Sequence, residues 1–134
     1  MIVTITLNPS VDISYYLDFF FINDVNRTSN YLKTAGGKGI NVSKVLRQLG
    51  CEVTATGFLG GGNGRFIEEE LGNLGIIPDF VPIRGITRNC VAILEHGRQT
   101  EIIETGPEVQ AEEAQRLVEA FVSRLTKGDI KVVS

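Results

Sequence analysis

Cysteine and histidine are scarce in this sequence. Its 134 residues include two cysteines, Cys51 and Cys90, and a single histidine, His96. Two cysteines in apolar, strand-like surroundings form neither a disulfide framework nor a thiolate metal site, so we expect free, buried thiols in a reducing compartment. The histidine falls in a predicted turn, where solvation is far more common than catalysis or metal binding. The sequence therefore predicts no metal site.

Long apolar runs and an excess of positive charge are also lacking. No segment approaches the roughly 20 apolar residues that span a bilayer, and the N-terminus has no signal-peptide pattern. The formal net charge of −3 gives no general attraction to nucleic acid or to an anionic membrane. We expect a cytoplasmic protein whose partners include neither nucleic acid nor a membrane, and in which any anion site is local.

The most informative glycine-rich stretch is residues 34–43, which contains Gly36, Gly37 and Gly39. Four apolar residues then recur at helical spacing before Gly50: Val42, Val45, Leu46 and Leu49. The pattern predicts a glycine loop that opens a helix with this apolar stripe on its buried side. Free backbone N–H groups and the positive end of the helix dipole would meet there beside Lys38, which suits an anionic or polyhydroxylated ligand.

A glycine loop before a helix can also be no more than a tight turn, and the loop alone leaves both interpretations open. Two familiar motifs are excluded. A P-loop would need glycine in place of Leu32 and serine or threonine in place of Gly39. The dinucleotide fingerprint fails in the second glycine cluster, residues 60–64, because Arg65 occupies its last position.

Strands and helices alternate along much of the chain. The sequence predicts buried strands over residues 2–7 and 52–59, helices over about 64–74 and 111–125, an interrupted edge strand over 76–83 and a last strand over 130–133. In the last helix the predicted apolar stripe is Ala114, Leu117, Val118, Phe121 and Leu125. Strand–helix–strand units indicate an α/β fold with a parallel sheet covered by helices.

Other strands have no covering helix and predict a separate small sheet: residues 13–17, the polar stretch 27–33, and a hairpin over 89–95 and 99–104. Asp12 is predicted in a loop at the carboxyl end of the first strand, where either ligand binding or turn chemistry would account for it. The aromatic cluster over residues 19–22 fits core packing or, as we favour slightly, a sheet face covered by another subunit.

Four motifs together resemble one protein family. They are AGGKGINVS at residues 35–43, TLNPSVD at 6–12, VNR at 25–27 and TRN at 87–89. The chain resembles the N-terminal half of the ribokinase-like (pfkB-type) carbohydrate kinases, in their phosphosugar branch. The resemblance implies an α/β, αβα sandwich. It also implies a small β-sheet lid over the sugar site, with lid segments of about 13–33 and 88–104 inserted into one domain over 1–134.

The resemblance also assigns a substrate-binding set. Asp12, Gly36, Gly37 and Asn41 match positions that contact sugar hydroxyls. Arg27, Lys38 and Arg88 match basic positions that hold the phosphate already on the sugar, and Asn89 belongs to the same motif as Arg88. Cations from three separate segments, converging on one phosphate, can form charge-assisted hydrogen bonds.

The implied activity is transfer of the γ-phosphate of ATP, with Mg²⁺, to a hydroxyl of tagatose 6-phosphate, giving the 1,6-bisphosphate. A 1-phosphofructokinase activity, or a non-catalytic module that binds sugar phosphate or only dimerises, are the alternatives. No catalytic residue is predicted in this chain. The general-base Asp and most nucleotide contacts of the family lie in a second half that has no counterpart here, so the chain alone is expected to be inactive. A homodimer through the lid is also expected.

Overall fold

The computed structural model describes residues 1–124 and 129–134. Nine strands and three helices occur within them. In chain order the elements are β1 (Ile2–Thr6), β2 (Ser10–Tyr16), β3 (Tyr31–Gly36), α1 (Lys38–Gln48), β4 (Val53–Leu59), α2 (Gly61–Asn73), β5 (Ile77–Pro78), β6 (Val81–Pro82), β7 (Arg88–Glu95), β8 (Arg98–Ile103), α3 (Ala111–Ser123) and β9 (Ile130–Val133).

The first sheet is parallel and has the strand order β5-β4-β1-β9, with β6 also paired to β4. Its register sets Ile2 opposite both Val53 and Ile130. All seven residues of β4 are buried, as expected for a central strand with both faces covered. Helices α1 and α2 pack on one face, around Ile40, Ile67 and Leu71, and α3 packs on the other through Leu117. The predicted α/β architecture is confirmed.

The second sheet has the order β3-β2-β7-β8, in which β2 and β7 are parallel and the outer pairs antiparallel. Two predicted boundaries were wrong. Strand β2 begins at Ser10, so Asp12 lies in a strand rather than in a loop, and β3 begins at Tyr31, so Arg27 lies in the loop before it. The polar residues at the start of β2 concealed it, because strand patterns are recognised by their apolar members.

The face that helix α1 presents to the core matches the predicted stripe only in part, since Leu46 packs against the core as expected. The buried residues of α1 are Gly39, Ile40 and Ser43, whereas Val45 and Leu49 of the predicted stripe are 55% and 73% exposed. The Ser43 hydroxyl lies 2.6 Å from the Thr4 hydroxyl and donates to the Gly39 carbonyl at 3.0 Å. A serine with these partners can be buried at little cost, and a count of apolar residues does not detect it.

The other helices follow the prediction in outline. Helix α2 starts about three residues before its predicted beginning, and Ile67 and Leu71 are buried as expected, whereas Leu74 is exposed. In α3 Leu117 is buried, but Ala114 and Val118 are exposed. The predicted stripe member Leu125 lies outside the described residues, as do Lys127 and Gly128, the residue types that typically end a helix. Among the described residues no helix has both the length and the apolarity needed to cross a bilayer.

Glu113 connects α3 to the loop after β6. It is buried, and its carboxylate accepts hydrogen bonds from the backbone N–H groups of Gln110 and Arg84, each at 2.8 Å. These two bonds lower the pKa of Glu113 below its ordinary value, and the nearby charges of Arg116 and Arg84 act in the same direction, against the effect of burial. The ionised carboxylate thus stabilises the start of α3.

The lowered pKa of Glu113 predicts a pH dependence of stability. The contribution of the ionised Glu113 carboxylate to the free energy of unfolding is fully present above the unfolded-state pKa of about 4.3. It is lost as the pH falls through the lower folded-state pKa. Glu113→Gln keeps the side-chain size and removes the charge. The urea unfolding midpoint should be lower than that of the unaltered chain at about pH 7, and it should fall less between about pH 7 and about pH 3. Glu112→Gln, which alters the exposed neighbouring residue, is the control. If the unfolding midpoint of Glu113→Gln changes with pH as much as that of the unaltered chain, the assignment is contradicted.

Candidate functional site

An open cavity of about 550 Å³ lies between one face of the second sheet and the N-terminus of α1. Strands β2, β7 and β8 and the first turn of α1 all contribute to its wall. Five of the residues predicted from the sequence line it: Asp12, Gly37, Lys38, Asn41 and Arg88. The fold therefore brings together residues from three separate segments of the chain.

Asp12 is fixed by its position in β2. It pairs with Thr34 of β3 and Cys90 of β7, and Ser10 Oγ donates a hydrogen bond of 2.6 Å to its Oδ1. Its carboxylate lies against the Cα of Gly36, where any Cβ would overlap all three carboxylate atoms. The predicted residue Gly36 thus contacts Asp12 directly, and its lack of a side chain is what lets the carboxylate lie there.

The turn from β3 into α1 provides the second wall of the site. Gly37 is the N-cap of α1, with a φ of 118° that other residues rarely adopt, and it makes no side-chain cap. The first turn of α1 contains no acidic residue. Its first N–H groups have no acceptor within the helix, so the positive end of the dipole adds to the charge of Lys38. An anion would be stabilised here.

Arg88 supplies a second cation, which the structure holds in place. It begins β7 opposite Ser10. Its guanidinium donates to the Glu104 carbonyl at 3.2 Å and to the Asn8 carbonyl at 3.0 Å, and its buried Nε has no partner. Within the described part of the chain, neither Arg88 nor Lys38 forms an ion pair. Both charges therefore remain available to a ligand.

Arg27 and Asn89 do not line this cavity. Arg27 is exposed in the loop beyond the far end of β2, in a separate cavity with Tyr15, Phe20 and Ile93. Tyr16, at the far end of β2, is four positions beyond Asp12, which is a separation of about 13 Å along the strand. Asn89 alternates to the other face of β7, where its Oδ1 accepts a 3.0 Å hydrogen bond from Asn63 Nδ2 at the start of α2.

Sequence reasoning missed several residues of the cavity: Ser10, Cys90, Gln99 and Glu101. The strand alternation Ser10–Asp12 could have indicated the first, had residues 10–12 been recognised as strand. Cys90 and Glu101 follow only from the register of β2, β7 and β8, which sets Cys90 opposite Asp12 and Ala92 opposite Glu101. No local pattern carries that register.

The aromatic cluster lies at the end of the second sheet away from α1. Phe19, Phe21 and Ile22 are exposed, while the Phe20 N–H donates to Glu95 Oε2 at 2.5 Å and the Phe19 ring lies 4.6 Å from the ring of His96. His96 is exposed in the β7–β8 turn, as predicted, with Phe19 as a neighbour. The cluster is therefore an exposed apolar surface held in a defined shape, and core packing does not account for it.

The chemistry of the main cavity suits a small polyol that carries a phosphate. A carboxylate and an Asn amide can bind hydroxyl groups, and the N-terminus of α1 together with the cations Lys38 and Arg88 of the same cavity can hold an anion. Glycines on the wall let such a ligand approach the backbone closely. The arrangement explains how a chain of net negative charge can have a local anion site.

Comparison with known proteins finds carbohydrate kinases. The model of the pfkB family carbohydrate kinases matches residues 5–134. The chain is 49% identical to tagatose-6-phosphate kinase of Staphylococcus epidermidis, over all 134 residues of this chain and 43% of that protein. The structure of a suggested phosphofructokinase from Staphylococcus aureus superposes with a TM-score of 0.91 at 40% identity, over 100% of this chain and 43% of that one.

A suggested 1-phosphofructokinase from Thermotoga maritima also superposes with a TM-score of 0.91, at 34% identity, over 98% of this chain and 43% of that one. The chain thus spans less than half the length of the relatives it matches. The ribokinase-like αβα fold and the family resemblance predicted from the sequence are both confirmed. The chain belongs to the pfkB family of carbohydrate kinases.

Proposed function

We propose that this chain is the sugar-phosphate-binding half of a kinase that phosphorylates tagatose 6-phosphate to the 1,6-bisphosphate with ATP. The observation that carries the proposal is the shared cavity of Asp12, Asn41, Lys38 and Arg88 beside the Gly36–Gly37 turn. The 49% identity to a tagatose-6-phosphate kinase over the whole chain supports this choice of substrate.

Each cavity residue has a role in the proposal. Asp12 and Asn41 bind sugar hydroxyls, and Ser10, which donates to Asp12 Oδ1, orients the carboxylate. Lys38, Arg88 and the N–H groups at the start of α1 hold the 6-phosphate, because charge-assisted hydrogen bonds to a phosphate are the strongest polar contacts the cavity can make. Asn89, bonded to Asn63, supports the strand that carries Arg88 without touching the sugar.

The second sheet acts as a lid in this proposal, inserted into a single domain. Its cavity-lining face would cover a bound sugar phosphate and exclude water, which would otherwise compete for the phosphoryl group. The general base and the nucleotide contacts are assigned to the portion of the relatives that this chain does not span. Among the described residues no three or more His, Cys, Asp or Glu side chains gather as a metal site, and Mg²⁺ is assigned to the same portion as the nucleotide.

Fructose 1-phosphate is the alternative substrate, supported by the similarity to a suggested 1-phosphofructokinase. The two sugar phosphates differ in the position of the phosphate relative to the hydroxyls that Asp12 would bind. Calorimetric titration of the chain with each compound decides between them. If the chain binds neither sugar phosphate, it is better described as a module that only dimerises.

A homodimer through the lid is part of the proposal. Phe19, Phe21 and Ile22 form an exposed apolar surface that a second copy could cover. Arg27 lies in the same loop and outside the cavity of its own chain. Its proposed phosphate role therefore requires that it act in the cavity of the second copy.

The contact between Gly36 and Asp12 predicts a sharp effect on binding. Gly36→Ala should weaken tagatose 6-phosphate binding at least about tenfold, which is about 1.4 kcal/mol, because the added Cβ displaces the carboxylate. Gly72→Ala is the matched control. Its Cβ meets nothing within 4 Å, and it should leave the affinity unchanged while adding up to about 1 kcal/mol of stability within α2. Equal affinities in the two variants would refute the assigned role of Asp12.

The chain alone should bind tagatose 6-phosphate without phosphorylating it. Catalysis of phosphoryl transfer depends on positioning both substrates, and the nucleotide side lies beyond this chain in the proposal. An enzyme-coupled assay of ADP release should give no signal above background, and calorimetry should detect no ATP binding. Normal turnover by the 134-residue chain would show that the division into two halves is incorrect.

The role proposed for Arg27 is tested by mixing two weakly binding variants. Arg27→Met removes the cation contributed to the neighbouring cavity, and Arg88→Met removes one from its own cavity. Each variant alone should bind tagatose 6-phosphate about tenfold or more weakly. After subunit exchange, a mixed dimer contains one cavity with both arginines, so a tight-binding fraction should appear. Its absence, with exchange verified by mass, would place Arg27 outside the site.

A further inference from the structure

Ala35 is the residue directly before the Gly36–Gly37 turn, and both of its backbone groups are bound by charged side chains. Its N–H donates to Glu70 Oε2 of α2 at 2.9 Å, and its carbonyl accepts from Lys44 Nζ of α1 at 2.5 Å. Lys44 Nζ also lies 3.3 Å from Glu70 Oε1. The two side chains therefore hold this residue of β3 between the two helices.

The position of β3 explains why such contacts are needed. Strand β3 is at the edge of the second sheet, so the backbone groups that point away from β2 have no strand to pair with. Ala35 is 1% exposed, and water cannot replace the missing partners without opening the core. A carboxylate for the N–H and an ammonium for the carbonyl satisfy both groups with charge-assisted bonds.

The ion pair itself is not a sufficient reason for the arrangement. The side chains of Lys44 and Glu70 are 23% and 21% exposed, and a partly solvated ion pair contributes little to stability. Their specific contribution is geometric, because Ala35 is opposite Val11, the neighbour of Asp12, and precedes the glycines of the turn. A shift of Ala35 would move the turn relative to the carboxylate.

We propose that Lys44 and Glu70 are positioning residues for the sugar-phosphate site, which act by holding the Ala35 backbone and with it the Gly36–Gly37 turn. Neither side chain lines the cavity. The proposal rests on the proposed function for the ligand, although the position of the turn can be measured without a ligand.

The decisive variant exchanges the two charges, Lys44→Glu with Glu70→Lys. The exchange preserves an ion pair and the net charge. It leaves the Ala35 N–H facing an ammonium and the carbonyl facing a carboxylate, which cannot bond as before. Glu70→Ala removes one partner, and Glu70→Gln, which retains an acceptor oxygen, is the milder variant if the others fold poorly. Glu69→Lys is the matched control, since Glu69 is exposed on the same helix.

Three measurements are compared across these variants: tagatose 6-phosphate affinity by calorimetry, the amide signals of Gly36 and Gly37 in ¹⁵N-correlated NMR spectra of the unliganded chain, and the urea unfolding midpoint. We expect the exchanged pair and Glu70→Ala to bind about tenfold more weakly, with both glycine signals displaced. Glu69→Lys should change neither the affinity nor the two glycine signals. Glu70→Gln should displace the signals less than Glu70→Ala.

The proposal is overturned if the exchanged pair has the same affinity and the same glycine signals as the unaltered chain, since an ion pair of either orientation would then suffice to position the turn. It is also overturned if the unfolding midpoint falls while the glycine signals stay in place. If the unaltered chain does not bind tagatose 6-phosphate, the proposed function fails, and the glycine signals alone then decide whether Lys44 and Glu70 position the turn.

Discussion

The close contact of a carboxylate with a glycine backbone is the constraint on which the rest of this structure depends. Asp12 can lie against Gly36 only because no Cβ intervenes, and the contact exists only because β2 and β3 pair in the register that sets Asp12 opposite Thr34. The turn that follows leads directly into α1, whose first residues carry Lys38 and Asn41. The antiparallel pairing of β2 with β3 thus fixes the position of the Asp12 carboxylate relative to the N-terminus of α1 and to Lys38.

Charge in this molecule is organised locally. The chain as a whole is negative, but the first turn of α1 has no acidic residue and Arg88 is held by carbonyl groups rather than by a carboxylate. A cation whose partners are neutral keeps its charge available to an anion. Where the cations are instead paired, as in Lys44 with Glu70, the pair serves the backbone. The paired cation Lys44 therefore binds the backbone before the Gly36–Gly37 turn, whereas the cations Lys38 and Arg88, unpaired within the described part of the chain, line the cavity.

The far end of the second sheet also depends on a few specific contacts. Glu95 accepts from the Phe20 N–H and pairs with Arg98, which fixes the loop that displays Phe19 and Phe21. Exposed aromatic residues on a fixed loop lose little conformational entropy when covered, which is favourable for an interface. The loop and the cavity lie at opposite ends of β2, so one sheet connects the proposed ligand site with the apolar surface that we propose a second copy covers.

The sequence by itself determined the order of the elements, the glycine turn that opens a helix, the buried strand β4 and the family. These features are written in runs of neighbouring residues, and Gly37 and Gly50 have the positive φ values that their positions required. It did not determine that Ser43 rather than Val45 faces the core, since a satisfied hydroxyl is invisible to apolar periodicity. Only the tertiary structure decided that Arg88 joins the cavity while Arg27 does not, and that Lys44 and Glu70 meet at Ala35. The physical reason is that these relations depend on strand register and on packing between residues far apart in the chain, which no local pattern records.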